Sequence, residues 1–120
     1  MNPLRLYSIV RMDLNMGPGK VAAQCGHAYL DTYLEAYKQN KKRCNTWKGE
    51  HHGIKICLEA KNLDKLEQLQ ELCIERDIPH TLITDLGYTC FDGEATITVL
   101  GIGPVYKSEM DELRKLKLMK

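Results

Sequence analysis

Residues 11–28 read RMDLNMGPGKVAAQCGHA and give the clearest local indication of the fold. It predicts the end of a strand, a tight turn and the first turns of a long helix. Gly17, Pro18 and Gly19 favour the turn, and Pro18 suits a first helical position, where its missing N–H costs nothing. Lys20 falls in the opening helical turn, where the helix dipole disfavours a cation by roughly 0.3–1 kcal/mol. Two interpretations explain this lysine equally well. In one, the free N–H groups and the ammonium converge on an anion site; in the other, the lysine side chain simply extends into water.

The composition of the 120 residues is typical of one globular domain. Hydrophobic residues make up 43% and charged residues 28%, which argues against disorder. The net charge of +1 does not indicate a nucleic-acid binder. Residues 38–55, however, carry six basic side chains and one acid, which favours either a phosphate-binding patch or a solvated loop.

Several features predict a cytoplasmic protein. No window is long and apolar enough to span a membrane. Residues 1–13 lack the architecture of a signal peptide. The five cysteines are scattered without a Cys-x-x-Cys pair, as expected in a reducing compartment, and they provide no zinc framework.

Strand and helix patterns alternate along the chain. Apolar alternation predicts strands at 6–12, 54–60, 80–84 and 96–102. Helical periodicity predicts a long helix at about 18–39, one capped by Asn62 and one capped by Ser108. Residues 40–53 are polar and basic, so we expect a loop with one helical turn. This order predicts an α/β fold, with residues 1–120 forming a single-domain three-layer α/β/α sandwich around a small mixed, mostly parallel four-stranded sheet.

The strand ends locate a candidate site. Ligands of open α/β sheets bind beyond the carboxyl ends of the strands. The first strand ends into residues 13–20 and the third into residues 85–89. If these strands run parallel, Lys20 and Asp85 meet at one edge of the sheet. For Asp85 alone, a turn-forming role before Gly87 is an equally good interpretation.

Spacing excludes several common chemistries. The turn before Lys20 is not a Walker A loop, because Val21 stands where a Ser or Thr must bind magnesium. Cys25 and His27 lie two apart on a helix and do not share a face. No serine stands in a Gly-x-Ser-x-Gly elbow. The remaining lysine, carboxylate, hydroxyls and amide suit hydrolysis by water, with Asp85 orienting or deprotonating the water and Lys20 stabilising an oxyanion.

The run from Val10 to Ala28 closely resembles the signature of the archaeal/eukaryotic-type (type II) peptidyl-tRNA hydrolases. The similarity continues at Trp47, Lys55, Asp85-x-Gly87-x-Thr89 and Thr98–Pro104. The resemblance implies an α/β fold around a mixed sheet and a homodimer. It also implies hydrolysis of the ester that joins a peptide to the 3′ end of tRNA, with no metal or cofactor. The substrate would be peptidyl-tRNA, and the released tRNA is recycled.

The resemblance also assigns site residues. The family's essential lysine, aspartate and threonine match Lys20, Asp85 and Thr89, which are therefore the expected catalytic residues. The positions expected to bind substrate are Gly17, Gly19, Gln24, His27, Thr98, Lys41, Lys42 and Arg43. The last three lie in the basic region, which is a candidate to contact the tRNA backbone. If it does, the affinity for tRNA should fall as the salt concentration rises.

One loop departs from the family pattern. Residues 85–91 read DLGYTCF where the family has Asp-Ala-Gly-Arg/His-Thr-Gln-Ile, and Asp92 and Glu94 add acids. An active hydrolase with a repacked loop is the favoured interpretation, since every proposed catalytic side chain is present. The alternative is a noncatalytic tRNA- or protein-binding module of the same fold.

Overall fold

Four strands form one mixed sheet in the order β2-β1-β4-β3. The computed structural model describes residues 2–87 and 91–120. The strands are β1 (Arg5–Arg11), β2 (Lys55–Ala60), β3 (His80–Asp85) and β4 (Thr96–Val105). The predicted α/β fold with a mixed four-stranded sheet is confirmed.

The expected predominance of parallel pairs is wrong. Only β1 and β2 pair in parallel, whereas β4 pairs antiparallel with both β1 and β3. A parallel pair needs a long crossover connection, usually a helix. The segment between β3 and β4 holds no such helix in its described part, so β4 turns back against β3.

Strands β1 and β3 nevertheless run in the same direction, because each lies antiparallel to the β4 strand between them. Their carboxyl ends, Arg11 and Asp85, therefore lie at one edge of the sheet. The long helix starts seven residues after Arg11, at Pro18. The fold thus places the start of this helix and the end of β3 at the same edge.

Helices cover both faces of the sheet. Helix α1 (Pro18–Gln39) has the predicted bounds and packs on β1, β3 and β4. Helix α3 (Leu63–Glu75) lies on the other face and buries Leu66, Leu69 and Cys73, while the Asn62 side chain caps it as predicted. Within the described ranges, no helix combines the length and apolar character needed to cross a membrane.

The basic region contains a helix where the sequence predicts a loop. Helix α2 (Lys41–Lys48) spans eight residues, so the loop prediction is wrong. The Asn40 side chain accepts a hydrogen bond from the Arg43 N–H and caps the helix. Cys44 and Trp47 lie three apart and are both buried, and the Trp47 indole N–H donates to Ile54 O at 2.8 Å. Tertiary anchoring thus overrides the polar composition.

The last helical segment is a 3₁₀ helix (Lys107–Lys115), kinked at Met110. The prediction that Ser108 caps it is wrong. Tyr106 occupies the cap position, and its backbone N–H donates to the Glu109 carboxylate at 2.7 Å. Met110 and Leu113 are buried against the α3 face of the sheet.

A β-bulge in β4 redirects one side chain toward α1. Ile83 pairs with Val99 and Thr84 pairs with Ile97, so Thr98 is the extra residue. Ile97 packs in the core on the α3 face, whereas Val99 packs in the core under α1. Thr98 shares the α1 face with Val99 and reaches a side chain of α1.

Candidate active site

The amino-terminal end of α1 is open to approach by a ligand. Gly17 is the residue at the cap position and provides no side-chain cap, while Pro18 occupies the first turn. A Cβ added at Gly17 or Gly19 would meet no neighbouring atom of the described residues within 4 Å. The N–H groups of a first helical turn point out of the helix end and attract anions. A substrate can therefore approach this backbone closely, directly beside Lys20.

Lys20 and Asp85 form an ion pair at the sheet edge. The Lys20 ammonium donates to Asp85 Oδ2, joining the start of α1 to the end of β3. The side chains are 20% and 9% exposed, so solvent screens the pair only partly. The expectation that these two residues meet is confirmed.

The second oxygen of Asp85 is held by its own loop. Asp85 Oδ1 accepts from the Gly87 N–H at 2.6 Å, which is the turn-forming role considered as the alternative. Asp85 therefore both meets Lys20 and forms the turn before Gly87. Gly87 has a φ of +81°, and a Cβ there would lie 2.6 Å from the Glu94 carbonyl oxygen, so the turn requires glycine.

Its partners hold the pKa of Asp85 below its ordinary value. The largest cause is the hydrogen bond from Lys20, followed by the hydrogen bond from the Gly87 N–H. Asp85 is therefore ionised at neutral pH. A carboxylate with a lowered pKa is a weak base, since general bases work best with a pKa near the operating pH.

A buried chain of hydrogen bonds supports Asp85 from the sheet side. Gln24 lies one turn after Lys20 on α1 and is 4% exposed. Its amide Nε2 donates to Asp85 Oδ2 at 3.4 Å, and its Oε1 accepts from the Thr98 hydroxyl at 2.7 Å. The bulge in β4 therefore sets the orientation of Gln24, and Gln24 in turn holds Asp85.

Two further side chains lie around the ion pair. His27 is exposed on α1, and its charge makes a minor contribution, after those of Lys20 and Gly87, to the lowered pKa of Asp85. The Lys20 ammonium lies 6.0 Å from the centroid of the Phe91 ring, at the limit of a cation–π contact. The sequence gives no signal for this contact except that Phe91 is the last residue of the divergent loop. Thr89 lies outside the described residues.

The basic candidates lie far from the ion pair. Lys41 follows the carboxyl end of α1, about 30 Å along the helix from Lys20. Lys41 and Lys42 are exposed and line a shallow surface pocket. Arg43 instead pairs with Glu109 at 2.8 Å and stacks on Tyr106. Arg43 therefore holds α2 to the last helical segment.

The described residues contain no group of three or more His, Cys, Asp or Glu arranged to hold a metal ion. Cys25 is buried on the side of α1 that faces β2, whereas His27 is exposed, as their spacing predicts.

The groups that converge at the site are the ammonium of Lys20, the carboxylate of Asp85 and the amide of Gln24. Such a set can bind a carbonyl oxygen, stabilise developing negative charge and orient a water molecule.

Comparisons with known proteins match nearly the whole chain. The family model "Peptidyl-tRNA hydrolase PTH2" matches residues 4–119. The peptidyl-tRNA hydrolase of Thermoplasma volcanium is 34% identical over 117 residues, covering 97% of this chain and 98% of the relative. The enzyme of the same name from Sulfolobus acidocaldarius is 36% identical over 121 residues, covering 97% and 100%. That of Methanopyrus kandleri is 37% identical over 105 residues, covering 88% of each chain. The chain that carries this Lys20–Asp85 site therefore belongs to the PTH2 family of peptidyl-tRNA hydrolases.

Proposed function

We propose that this chain hydrolyses the ester bond between a peptide and the 3′ end of tRNA, releasing the tRNA for reuse, without a metal or cofactor. The observation that carries the proposal is the Lys20–Asp85 ion pair beside the open end of α1. Membership in the PTH2 family and relatives named peptidyl-tRNA hydrolase support this substrate.

In the proposed reaction, water attacks the ester carbonyl carbon, the bond to the ribose oxygen breaks, and a proton from the water ends on that oxygen, so that the peptide leaves as a carboxylic acid and the tRNA keeps a free ribose hydroxyl. Lys20 and the N–H groups of the first turn of α1 stabilise the oxyanion of the tetrahedral intermediate. Asp85 is ionised and a weak base, so its proposed role is to hold the Lys20 ammonium and to orient the water. Thr89 is proposed as the third catalytic residue from the resemblance.

The proposed substrate contacts divide into near and remote groups. The backbone at Gly17 and Gly19 borders the open end of α1, and the exposed His27 lies more than two turns further along the same helix, where its charge still acts on Asp85. These groups are proposed to bind the ester end of the substrate. Gln24 and Thr98 are buried, so they are proposed to act by positioning Asp85.

The exposed Lys41 and Lys42 are proposed to bind tRNA phosphates. Their distance of about 30 Å from Lys20 is one that an RNA helix can span while its 3′ end occupies the site. Arg43 is bonded to Glu109, which argues against a direct role in tRNA binding. Among the basic candidates, we therefore expect Lys41 and Lys42 to account for more of the salt dependence of binding than Arg43 does.

We propose that the chain works as a homodimer in the cytoplasm. Leu30 and Leu34 lie on neighbouring turns of α1 and are 59% and 52% exposed. The partly exposed rings of Tyr33 and Tyr37 continue this apolar face of α1, with the Lys41 ammonium 5.7 Å from the Tyr37 ring centroid at its edge, and a second copy can cover the leucines. The thiols of the described cysteines are free, which supports a reducing compartment.

The experiment that tests the proposal measures the release of tRNA from N-acetylaminoacyl-tRNA in the presence of a chelator. The wild-type chain is compared with Asp85→Asn and with Asp111→Asn, a control on an exposed carboxylate in the last helical segment. We expect chelator-insensitive cleavage that falls by about 10²-fold or more in Asp85→Asn and persists in the control. Folded wild-type protein that binds tRNA without cleaving it would refute the enzyme and favour the noncatalytic module.

A further inference from the structure

Two thiols meet between α1 and β2, away from the ion pair. Cys25 of α1 and Cys57 of β2 have their sulfur atoms 3.7 Å apart, which is direct contact. Cys44 and Cys73 are buried in other parts of the molecule, on α2 and α3. The first two cysteines are therefore placed to react with each other.

A groove gives small molecules access to this pair. Its cavity volume is about 560 Å³, and both cysteines line it together with Met16, Tyr29 and Met119. Cys57 is partly exposed, whereas Cys25 is only 7% exposed. The backbone N–H of Met119 donates to Cys57 O at 2.9 Å, so the end of the described chain forms one wall. An oxidant that enters the groove reaches Cys57 first.

The surroundings of the two thiols are unequal. The contact with Cys25 lowers the pKa of the Cys57 thiol against the opposing effect of burial, while the neighbouring Ser8 acts in the same direction on both thiols. The same contact, reinforced by burial, raises the pKa of the Cys25 thiol. Cys57 is the more exposed thiol and the one whose pKa is lowered, so we assign it as the nucleophile of the pair, because the accessible thiolate is the reactive form of cysteine.

We propose that Cys25 and Cys57 form a reversible disulfide when a hydroperoxide enters the groove. The Cys57 thiolate attacks the outer peroxide oxygen, which gives a Cys57 sulfenic acid and releases an alcohol, or water if the oxidant is hydrogen peroxide. The Cys25 sulfur then attacks the sulfenic sulfur, and water leaves as the disulfide forms. The two thiols lose two electrons and two protons in total, and the peroxide bond is reduced.

The bond requires only local movement. The two sulfur atoms must close from 3.7 Å to a bond length of about 2.05 Å. Cys25 lies next to Gln24, so the bond ties the supporting part of α1 to β2. A dithiol reductant reverses the reaction by thiol–disulfide exchange.

The test is peptide mapping after exposure of the reduced full chain to hydrogen peroxide and blocking of the remaining thiols. We expect a cross-linked pair of peptides containing Cys25 and Cys57, lighter by two hydrogen atoms than the two free peptides. Treatment with dithiothreitol should remove it. The cross-link should be lost in Cys57→Ser and Cys25→Ser and retained in Cys73→Ser, the control on a buried thiol of α3.

Other products would overturn the proposal. These are a sulfinic acid on Cys57 with no cross-link, or a disulfide that joins either cysteine to Cys44, Cys73 or Cys90. A second measurement is the Tm of the wild-type chain, which should rise on oxidation, return on reduction and remain unchanged in Cys57→Ser. No variant is needed to interpret the wild-type map, so a variant that fails to fold leaves the test intact. Neither measurement depends on hydrolase activity.

Discussion

Replacing Thr98 by valine tests whether the β4 bulge supports the candidate site. The Thr98 hydroxyl donates to Gln24 Oε1 at 2.7 Å, and both side chains are buried. Valine keeps the shape of threonine but has no donor. The Gln24 oxygen then loses its partner in a place that water hardly reaches.

The expected cost follows from two opposing terms. Leaving a buried acceptor unpaired costs about 1–3 kcal/mol. The added methyl group returns about 0.8 kcal/mol through apolar burial. Taking the middle of that range, about 2 kcal/mol, we expect the free energy of unfolding to fall by about 1.2 kcal/mol, which lowers the Tm by roughly 4–7 °C for a chain of this size.

The assay is urea unfolding of the wild type, Thr98→Val, Gln24→Met and the double variant. If the two side chains hydrogen-bond, the double variant should lose at least about 1 kcal/mol less than the sum of the single losses. The matched control is Thr96→Val on the same strand, whose hydroxyl donates to Glu94 O in an exposed setting. This control should change stability by no more than about 0.5 kcal/mol.

The Thr98→Val result can refute the reasoning in two ways. A free energy of unfolding within about 0.5 kcal/mol of the wild type means that the Gln24 oxygen finds another partner or water. Strict additivity in the double variant means that the two side chains do not interact. Either result removes Thr98 from the support of Asp85.

Three other variants test separate parts of the structure. Gly87→Ala should destabilise the chain by more than about 1 kcal/mol and reduce hydrolysis, because φ is +81° and the Cβ would strike backbone; wild-type activity and Tm would contradict this. Glu112→Gln removes a pair with Arg76 whose hydrogen bond lowers the Glu112 pKa from its ordinary 4.5 to about 2. Above pH 4.5 the wild type should therefore be more stable than Glu112→Gln, by less than about 1 kcal/mol because the pair is exposed. Urea unfolding should show that this difference in the free energy of unfolding vanishes as the pH falls toward 2. Replacing Lys41 and Lys42 together by alanine should weaken tRNA binding and lower the salt slope by about 1 for each phosphate that the variant no longer binds, whereas an unchanged slope would exclude both lysines from tRNA binding.

The parts of the fold that the sequence predicts are those with strong local signals. Helix α1 has the expected bounds because the glycine–proline turn starts it and apolar periodicity continues through Gln39. Asn62 caps α3 as predicted because its side-chain oxygen is the feature that a cap requires. The meeting of Lys20 and Asp85 follows from strand direction alone, and β1 and β3 do share a direction.

The rest depends on contacts that a single sequence does not reveal. Helix α2 has a basic composition and is held by the burial of Cys44 and Trp47. The bulge that turns Thr98 toward α1 arises from the register of β4 against β3, which alternation of residue types does not encode. The antiparallel β3–β4 pairing has one visible signal in the sequence, because residues 85–95 show no helical periodicity that could form a crossover.

The role of Lys20 is tested most directly by the rate of tRNA release by Lys20→Met. Lys107→Met, at an exposed lysine of the last helical segment, serves as the control. If the Lys20 ammonium stabilises the oxyanion, kcat should fall by about 10²–10³-fold while tRNA is still bound, and the control should match the wild type. Hydrolysis by folded Lys20→Met at the wild-type rate would contradict the account.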